Sequence, residues 1–469
     1  MPARSEHSGL EPGCVKLPAD MNAEKAKNAH NRKAEPLRPK VTRWPCRDAL
    51  LLVWAALSLL QAGCEPQTGG RTVIQFWVMG REGEAVKGLL PEFERLNPDL
   101  RVKVQQIPWS AAHEKLLTAY AGDSMPDLFQ LGNTWVPEFV ALNAVEPLGI
   151  RVAASPMIKR DDFFSGILET NRLGEELYGI PWYVDTRVLF YRKDLLARAG
   201  YAEPPRNWDD WLEAMVRLKR LNGGERYAIL LPINEWQLPV ILALQRSAEM
   251  LRNGARHGAF RDAAFRQAFG FYLDFFRRRF APAVGEAQIA NLYQEFADGY
   301  FALYITGPWN LGEFRRRLPE ALQDRWATTP LPAIDQRYPG LSLAAGASLA
   351  LAHDSRHKVE AWRLIEFLAE PAQQVAFYRL TGDLPARKSA WADTALAGDS
   401  RVGAFREQLE RVVSTPKIPE WERIASKVAQ YAEKAVRGEM DADEALAALD
   451  HDVDLILEKR RWLLAHGHK

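Results

Sequence analysis

The sequence predicts an α/β protein with two domains. Strand and helix patterns alternate in the part of the chain that follows residue 71, beginning with the β-branched and aromatic run at 72–78, which is typical of a buried strand. Such alternation places parallel strands in one sheet with helices packed on its faces. The chain has 469 residues, more than one hydrophobic core usually supports, and this length favours two domains.

The first helix is predicted from apolar residues spaced by three and four between Val86 and Leu96. Pro91 falls inside this pattern and puts the start or the straightness of the helix in doubt. Apolar and polar residues then alternate in a second strand, and further patterns predict a helix and a third strand. These segments lie at 100–104, 111–121 and 126–131.

The later elements follow from the same patterns. Asn207 and Asp210, which are three residues apart, form a capping-box-like pair that predicts the start of a helix at Asn207. A strand ends at the Gly-Pro-Trp sequence of 307–309, and the chain after Pro416 is predicted to be helical. The other predicted segments are an extended stretch at 178–191, strands at 302–305 and 343–351, and a helix at 360–369.

The amino-terminal region has the layout of an export signal. A basic stretch precedes the apolar run at 49–60, and the small residues Ala62 and Gly63 follow it. The run is too short to span a bilayer comfortably, since a spanning helix needs about 20 residues. Residues 1–63 are therefore assigned to a leader and signal and excluded from the fold.

Cys64 follows these small residues directly, and this arrangement resembles a bacterial lipoprotein signal. The resemblance implies lipid attachment at Cys64. An ordinary secretory signal and a short transmembrane anchor are the alternatives. The chain contains three cysteines, none after position 64, so the predicted fold needs no disulfide.

Charge and motif content exclude several functions. The chain has 61 Lys and Arg residues against 60 Asp and Glu residues and contains no block of like charge. A nucleic-acid partner is therefore not expected. The sequence has no nucleophile elbow, Walker loop or dinucleotide-binding glycine motif. His353 and His357 are spaced for a metal pair on a helix, but their context predicts a solvated turn. No catalytic residue, metal or cofactor is predicted.

The tryptophans point to a binding site instead. The chain has 15, and several stand at predicted strand ends or beside Gly and Pro. Flat rings fit the apolar face of a sugar, while Asp, Glu, Asn and Arg exchange hydrogen bonds with its hydroxyls. Each of these tryptophans can also be an ordinary core residue. The candidates are Trp77, Trp135, Trp182, Trp236 and Trp309.

Several segments, in order, resemble the extracellular solute-binding proteins of the maltose-binding-protein type, which serve ABC importers. The stretch at 298–309, Asp-Gly-Tyr-Phe-Ala-Leu-Tyr-Ile-Thr-Gly-Pro-Trp, carries this resemblance best. The other segments are 93–102, 126–129, 178–181 with 189–195, 361–371 and 382–387.

The resemblance implies a type II periplasmic-binding-protein fold, in which two α/β lobes are joined by a hinge and ligand binds between them. Residues 64–181 and 330–380 would form the N-terminal lobe, and residues 185–329 and 385–469 the C-terminal lobe. Hinge crossings would lie at 182–184 and 381–384.

The resemblance also implies which residues contact the ligand. Trp309 stands where the family has its sugar-stacking tryptophan, and Asp185 stands at an acidic position in the crossover segment. The pair Arg81 and Glu82 is not the commonest one in the first loop of the family, which implies a different recognition of hydroxyls there. The remaining implied contacts are Trp77, Asn133, Thr134, Trp135, Trp182, Tyr183, Trp236, Asn310, Gly346, Ala347 and Arg387.

The leading hypothesis is therefore a monomeric receptor, lipid-anchored in the periplasm or cell envelope, that delivers a di- or oligosaccharide to the membrane subunits of an ABC permease. A second hypothesis is a binding protein for glycerol 3-phosphate or another charged solute, for which Arg81, Arg187 and Arg387 would converge. A remote alternative is a glycoside hydrolase that uses Glu82 and Asp185.

Overall fold

A computed structural model describes residues 70–221, 226–335 and 339–467 of the protein. The predicted leader, export signal and Cys64 lie outside the described residues. The strands are β1 (Thr72–Met79), β2 (Leu100–Ile107), β3 (Leu128–Gly132), β4 (Arg172–Leu173), β5 (Glu176–Leu177), β6 (Ile180–Asp185), β7 (Val188–Arg192), β8 (Ile229–Leu230), β9 (Leu251–Arg252), β10 (His257–Gly258), β11 (Leu303–Thr306), β12 (Trp326–Thr329), β13 (Ser342–Leu343), β14 (Ala345–Leu351), β15 (Leu384–Pro385) and β16 (Val412–Val413).

Helices cover both sheets and account for most of the carboxyl-terminal part of the chain. They are α1 (Glu82–Ala85), α2 (Leu90–Leu96), α3 (Trp109–Ala121), α4 (Val136–Ala141), α5 (Gly149–Ala154), α6 (Ser165–Thr170), α7 (Lys193–Arg198), α8 (Trp208–Leu221), α9 (Gln237–Gln245), α10 (Ala263–Arg277), α11 (Leu292–Ala297), α12 (Trp309–Arg317), α13 (Lys358–Leu368), α14 (Pro371–Thr381), α15 (Thr394–Ala397), α16 (Ser400–Leu409), α17 (Trp421–Val436), α18 (Ala442–Ile456) and α19 (Glu458–Ala465).

The first lobe is built on a six-stranded sheet with the order β15-β6-β14-β3-β1-β2. Strands β1, β2 and β3 are parallel, as their alternation with helices predicts. Strand β14 runs antiparallel to both of its neighbours, β3 and β6. As a result, the carboxyl ends of β1, β3 and β6 and the amino end of β14 meet at one edge of this sheet.

The second lobe is built on a four-stranded sheet with the order β12-β7-β11-β8. Strands β11 and β8 are parallel, and β7 is antiparallel to β11. The segments that leave β11 and β8 lead to Trp309 and Trp236. The predicted two-lobe α/β fold is thus confirmed.

The chain passes between the sheets at positions that differ from the predicted crossings. It leaves the first sheet at Asp185 and enters the second at Val188. Residues 182–184 lie inside β6, since hydrogen bonding to β14 and β15 holds them in the sheet. Leu384, the last residue of the predicted second crossing, pairs with Val184 in the sheet. The remaining predicted lobe limits stay a prediction.

Pro91 marks the start of a helix. The predicted single helix is divided: a turn of 3-10 helix ends at Gly88, and α2 begins at Leu90 with Pro91 in its first turn. Proline is well accommodated there because the amide hydrogens of the first turn have no partner within the helix. The helix predicted from Asn207 is also present, and the Asn207 Oδ1 accepts the Asp210 amide at 2.9 Å.

None of the helices in residues 70–221, 226–335 and 339–467 has both the length and the apolar character that a membrane crossing requires.

Candidate ligand-binding cleft

A cavity of about 640 Å³ opens where the strand ends of the two sheets face each other. Its walls include the loops after β1, β3 and β6, the start of β14, and the segments that follow β8 and β11. The volume lies within the range of about 300–1,000 Å³ that is usual for small-molecule sites. Ligands of open α/β sheets bind at the carboxyl ends of the strands, which is the position of this cavity.

Trp309 forms an aromatic wall of the cavity from the second lobe. It is the first residue of α12, and 39% of its surface is exposed although most large apolar side chains are buried. The Arg187 guanidinium lies over its ring, 4.7 Å from the ring centre. The ring also lies against the backbone of Gly307, where an added Cβ atom would overlap the six-membered ring.

Gly307→Ala is expected to displace the Trp309 ring and to lower ligand affinity while the protein stays folded. The added methyl group and the ring cannot occupy the same space. Isothermal titration, with tryptophan emission as a second readout, checks this. Gly270→Ala in α10 is the matched control, since a methyl group added there would meet no neighbouring side chain within 4 Å. Unchanged affinity in Gly307→Ala would contradict a role for the ring position.

Glu82 lies in a hydrogen-bonded wall of the first lobe. Its Oε1 accepts from the Tyr183 hydroxyl at 3.1 Å and from the Trp109 indole at 3.2 Å. Gln130 supports this arrangement: its Nε2 donates to the Tyr183 hydroxyl at 2.8 Å, and its Oε1 accepts the Met79 amide at 2.8 Å. Burial raises the pKa of Glu82, although these hydrogen bonds act in the opposite direction.

Asp383 is a second buried carboxyl of the same wall and is 6% exposed. Burial, and next the negative charge of Glu82, raise the pKa of Asp383 to about 8. Two carboxyls that repel each other in a poorly solvated site do not both ionise readily. The Asp383 carboxyl is therefore mostly protonated at neutral pH.

Asp383→Asn is expected to stabilise the protein more at pH 8.5 than at pH 5. The folded-state pKa of about 8 lies above the usual 3.8, so ionisation opposes folding as the pH rises through that interval, and asparagine has no proton to lose. The gain in the free energy of unfolding caused by Asp383→Asn is expected to be about 1–3 kcal/mol larger at pH 8.5 than at pH 5.

Denaturant unfolding of Asp383→Asn and of the exposed control Asp161→Asn, each at both pH values, measures this difference. An equal effect of Asp383→Asn at pH 5 and pH 8.5 would show that the carboxyl ionises normally in the folded protein.

The two arginines of the cavity are already paired with carboxylates. The Arg187 Nη1 lies 2.8 and 2.9 Å from the two carboxylate oxygens of Asp185. The Arg81 Nη1 lies 3.3 Å from the Glu313 Oε1, and its Nη2 donates to the carbonyl of Leu380 at 2.7 Å. Arg81 belongs to the first lobe and Glu313 to helix α12 of the second, so this ion pair bridges the cavity.

Gly346 allows the start of β14 to reach the cavity edge. Its φ is +133°, and a Cβ atom there would overlap the carbonyl oxygen of Tyr183. The pairing register with β6 shifts between Ala347 and Ser348. Glycine is required because the backbone approaches β6 closely at this irregular point.

Ten of the predicted contact residues line the cavity. They come from separate stretches of sequence, which the two sheets bring to one place. They are Arg81, Glu82, Asn133, Thr134, Trp135, Tyr183, Asp185, Trp236, Trp309 and Gly346.

Trp182 and Arg387 were expected in the cavity and lie elsewhere. Trp182 is 1% exposed and stacks on Phe377 at 4.3 Å between ring centres, within the hydrophobic core. Arg387 is 4% exposed and pairs with Asp162, with 2.6 Å between its Nε and the Asp162 Oδ2. The three arginines of the charged-solute hypothesis therefore do not converge.

Trp77, Asn310 and Ala347 also do not line this cavity. Trp77 is partly exposed on β1, where Lys115 Nζ lies 5.2 Å from its ring centre. Asn310 is buried and donates to the Thr306 hydroxyl at 2.7 Å. Ala347 is fully buried because it is paired on both sides within the sheet.

Trp109, Glu313 and Asp383 also line the cavity but were not predicted from the sequence, and Arg187 was predicted only as a phosphate ligand. Trp109 follows Pro108 at the end of β2, which is the pattern that selected other tryptophans. Glu313 lies four residues after Trp309 and therefore on the same side of α12. Asp383 has no local signal, because its partner Glu82 lies about three hundred residues away in sequence.

Two α/β lobes with a cleft lined by aromatic and polar residues define a ligand-binding protein. A model of the family described as bacterial extracellular solute-binding proteins matches residues 78–375. The chain belongs to this family.

Individual relatives agree with this assignment. The sugar-binding protein MalE from Xanthomonas citri has a structure that superposes with a TM-score of 0.80 and 46% identity, over 84% of this chain and 99% of that one. The galactooligosaccharide-binding protein of Bacillus subtilis is 23% identical over 85% of this chain and 94% of its own length. UgpB of Mycobacterium tuberculosis, solved with glycerophosphocholine, shares the fold with a TM-score of 0.69 and 21% identity over 83% of this chain and 100% of that one. The predicted type II periplasmic-binding-protein fold is confirmed by these superpositions.

Proposed function

We propose that the protein is the substrate-binding component of an ABC importer and captures a di- or oligosaccharide in the cell envelope. The observation that carries this proposal is the exposed ring of Trp309 at a cavity whose other walls hold carboxyl, amide and hydroxyl groups. An aromatic ring contacts the C–H face of a sugar, and the polar groups exchange hydrogen bonds with its hydroxyls. MalE of Xanthomonas citri, a sugar-binding protein, is 46% identical to this chain.

Capture depends on contributions from both lobes. Glu82 and Tyr183 belong to the first lobe, and Trp309 belongs to the second. A ligand held from both sides favours the conformation in which the lobes approach, because that conformation makes more contacts with it. The closed form would then deliver the saccharide to the membrane subunits of the importer.

Isothermal titration with maltose, trehalose, cellobiose, xylobiose and glycerol 3-phosphate tests the proposal. We expect heat of binding with at least one disaccharide and a change in tryptophan emission on its addition, since four tryptophans line the cavity. Heat with glycerol 3-phosphate alone would favour the charged-solute hypothesis, and no heat with any of the disaccharides would refute saccharide capture.

The protein is further proposed to be a monomer without enzymatic activity, held to a membrane by a lipid on Cys64 after signal cleavage. Mass spectrometry of the mature amino terminus tests the anchor, since an unmodified Cys64 or an intact signal contradicts it. Incubation with chromogenic glycosides tests the absence of hydrolysis, and turnover would reinstate the hydrolase hypothesis.

A further inference from the structure

The charged residues of the cavity fall into two groups. Two arginines and four carboxyl residues line it, and each arginine is paired with a carboxylate. Arg187 pairs with Asp185 and lies against the Trp309 ring. Arg81 binds the Leu380 carbonyl and shares the Glu313 carboxylate with Arg316 and Arg317.

Glu82 and Asp383 form the second group. Within the described part of the chain, neither carboxyl has a cation within ion-pair distance. Arg81 is near enough to lower the pKa of both, but this effect is smaller than that of burial. Both side chains are at least nine-tenths buried, with exposures of 9% and 6%, yet both border the cavity.

Resting on the proposed function, we infer that Glu82 and Asp383 form a subsite that takes an uncharged, hydroxyl-bearing sugar unit and excludes phosphorylated and acidic sugars. A carboxylate accepts hydrogen bonds from hydroxyl groups, and a protonated carboxyl also donates one. The pair can thus accept hydrogen bonds from neighbouring hydroxyls of one sugar ring and donate a hydrogen bond to one of them.

An anionic group at this position meets unfavourable conditions. It would lose water on entering the cavity and would face two buried carboxyls that have no ion-pair partner among the described residues, while Arg81 is already bound to Glu313 and to the Leu380 carbonyl. Phosphate sites in proteins instead combine convergent arginine or lysine side chains with backbone amides. This wall is therefore expected to favour a neutral saccharide over a sugar phosphate.

The experiment compares matched ligands in matched variants at pH 7. Trehalose is titrated beside trehalose 6-phosphate, and maltose beside maltose 6′-phosphate, with glycerol 3-phosphate and inorganic phosphate as small anions. The proteins are the wild type, the double variant Glu82→Gln/Asp383→Asn and the control Glu175→Gln/Asp161→Asn. Both control positions are exposed. Thermal unfolding of each variant verifies that it is folded.

We expect the wild type and the control to bind a neutral disaccharide at least about tenfold more tightly than its phosphate ester. In Glu82→Gln/Asp383→Asn this preference is expected to fall to about threefold or less, because amides keep the shape of the wall without its charge.

Equal affinity of the wild type for the neutral sugar and its ester would overturn the inference, as would micromolar binding of inorganic phosphate. An undiminished preference in the double variant would overturn it as well. In each of these cases neutral disaccharides still bind, so saccharide capture stands. Absence of binding by every neutral disaccharide refutes the proposed function itself, and the inference with it.

Discussion

Trp309→Ala is expected to weaken saccharide binding by about 30-fold or more, which corresponds to about 2 kcal/mol for an aromatic residue at the centre of a binding site. The substitution removes an exposed ring that borders the cavity and contacts the Arg187 guanidinium. It removes little of the buried core, since Trp309 is 39% exposed and lies outside the hydrophobic core clusters. The thermal stability of the unliganded protein should therefore change little.

Titration of Trp309→Ala beside Trp462→Ala measures this effect. Trp462 is 56% exposed on the last helix and does not line the cavity, so its loss controls for the removal of an exposed indole. Wild-type affinity in Trp309→Ala would remove the main support for the proposed site.

Trp182→Ala is expected to have the largest effect on stability, about 3–5 kcal/mol, as is usual when a buried aromatic side chain is truncated. Trp182 is 1% exposed, and its ring stacks on Phe377 and contacts Phe76 at 6.1 Å between ring centres. A cavity in the core of the first lobe would replace these contacts.

Denaturant unfolding measures the loss, with Trp462→Ala again as the control. In the fraction of the protein that remains folded, binding should persist, because Trp182 does not line the cavity. A variant as stable as the wild type with impaired binding would restore the original prediction that Trp182 contacts the ligand.

Two neighbouring residues show how far sequence patterns reach. Trp182 and Tyr183 both follow Pro181, and both were predicted to contact ligand. Successive side chains of a regular strand point to opposite faces of the sheet, but the pairing of β6 with β14 is irregular here and passes over Trp182. Both rings contact Phe377; the Tyr183 hydroxyl reaches Glu82 in the cavity wall, whereas Trp182 does not line the cavity. The composition of the segment does not indicate which ring meets the cavity, because that depends on the irregular pairing of β6 with β14.

Arg387 illustrates a second limit. The segment at 382–387 matches the family, and Arg387 was carried over as a ligand contact on that basis. In the structure its guanidinium is bound to Asp162 and to the backbone carbonyls of Met157 and Ala369. These partners lie far from Arg387 along the chain except for Ala369, and no local pattern identifies them.

The sequence alone determined the order of the local strands and helices and the class of protein. Periodic apolar residues specify strands and helices over short distances, Pro91 and Asn207 mark helix starts, and the ordered family segments identify a solute-binding fold. The composition of the cleft was decided only by tertiary structure. Glu82 and Asp383 acquire their shared electrostatic environment because separate sheet strands bring them together, and burial at that point alters their pKa values. Proximity and desolvation belong to the assembled fold and are absent from any short segment of the chain.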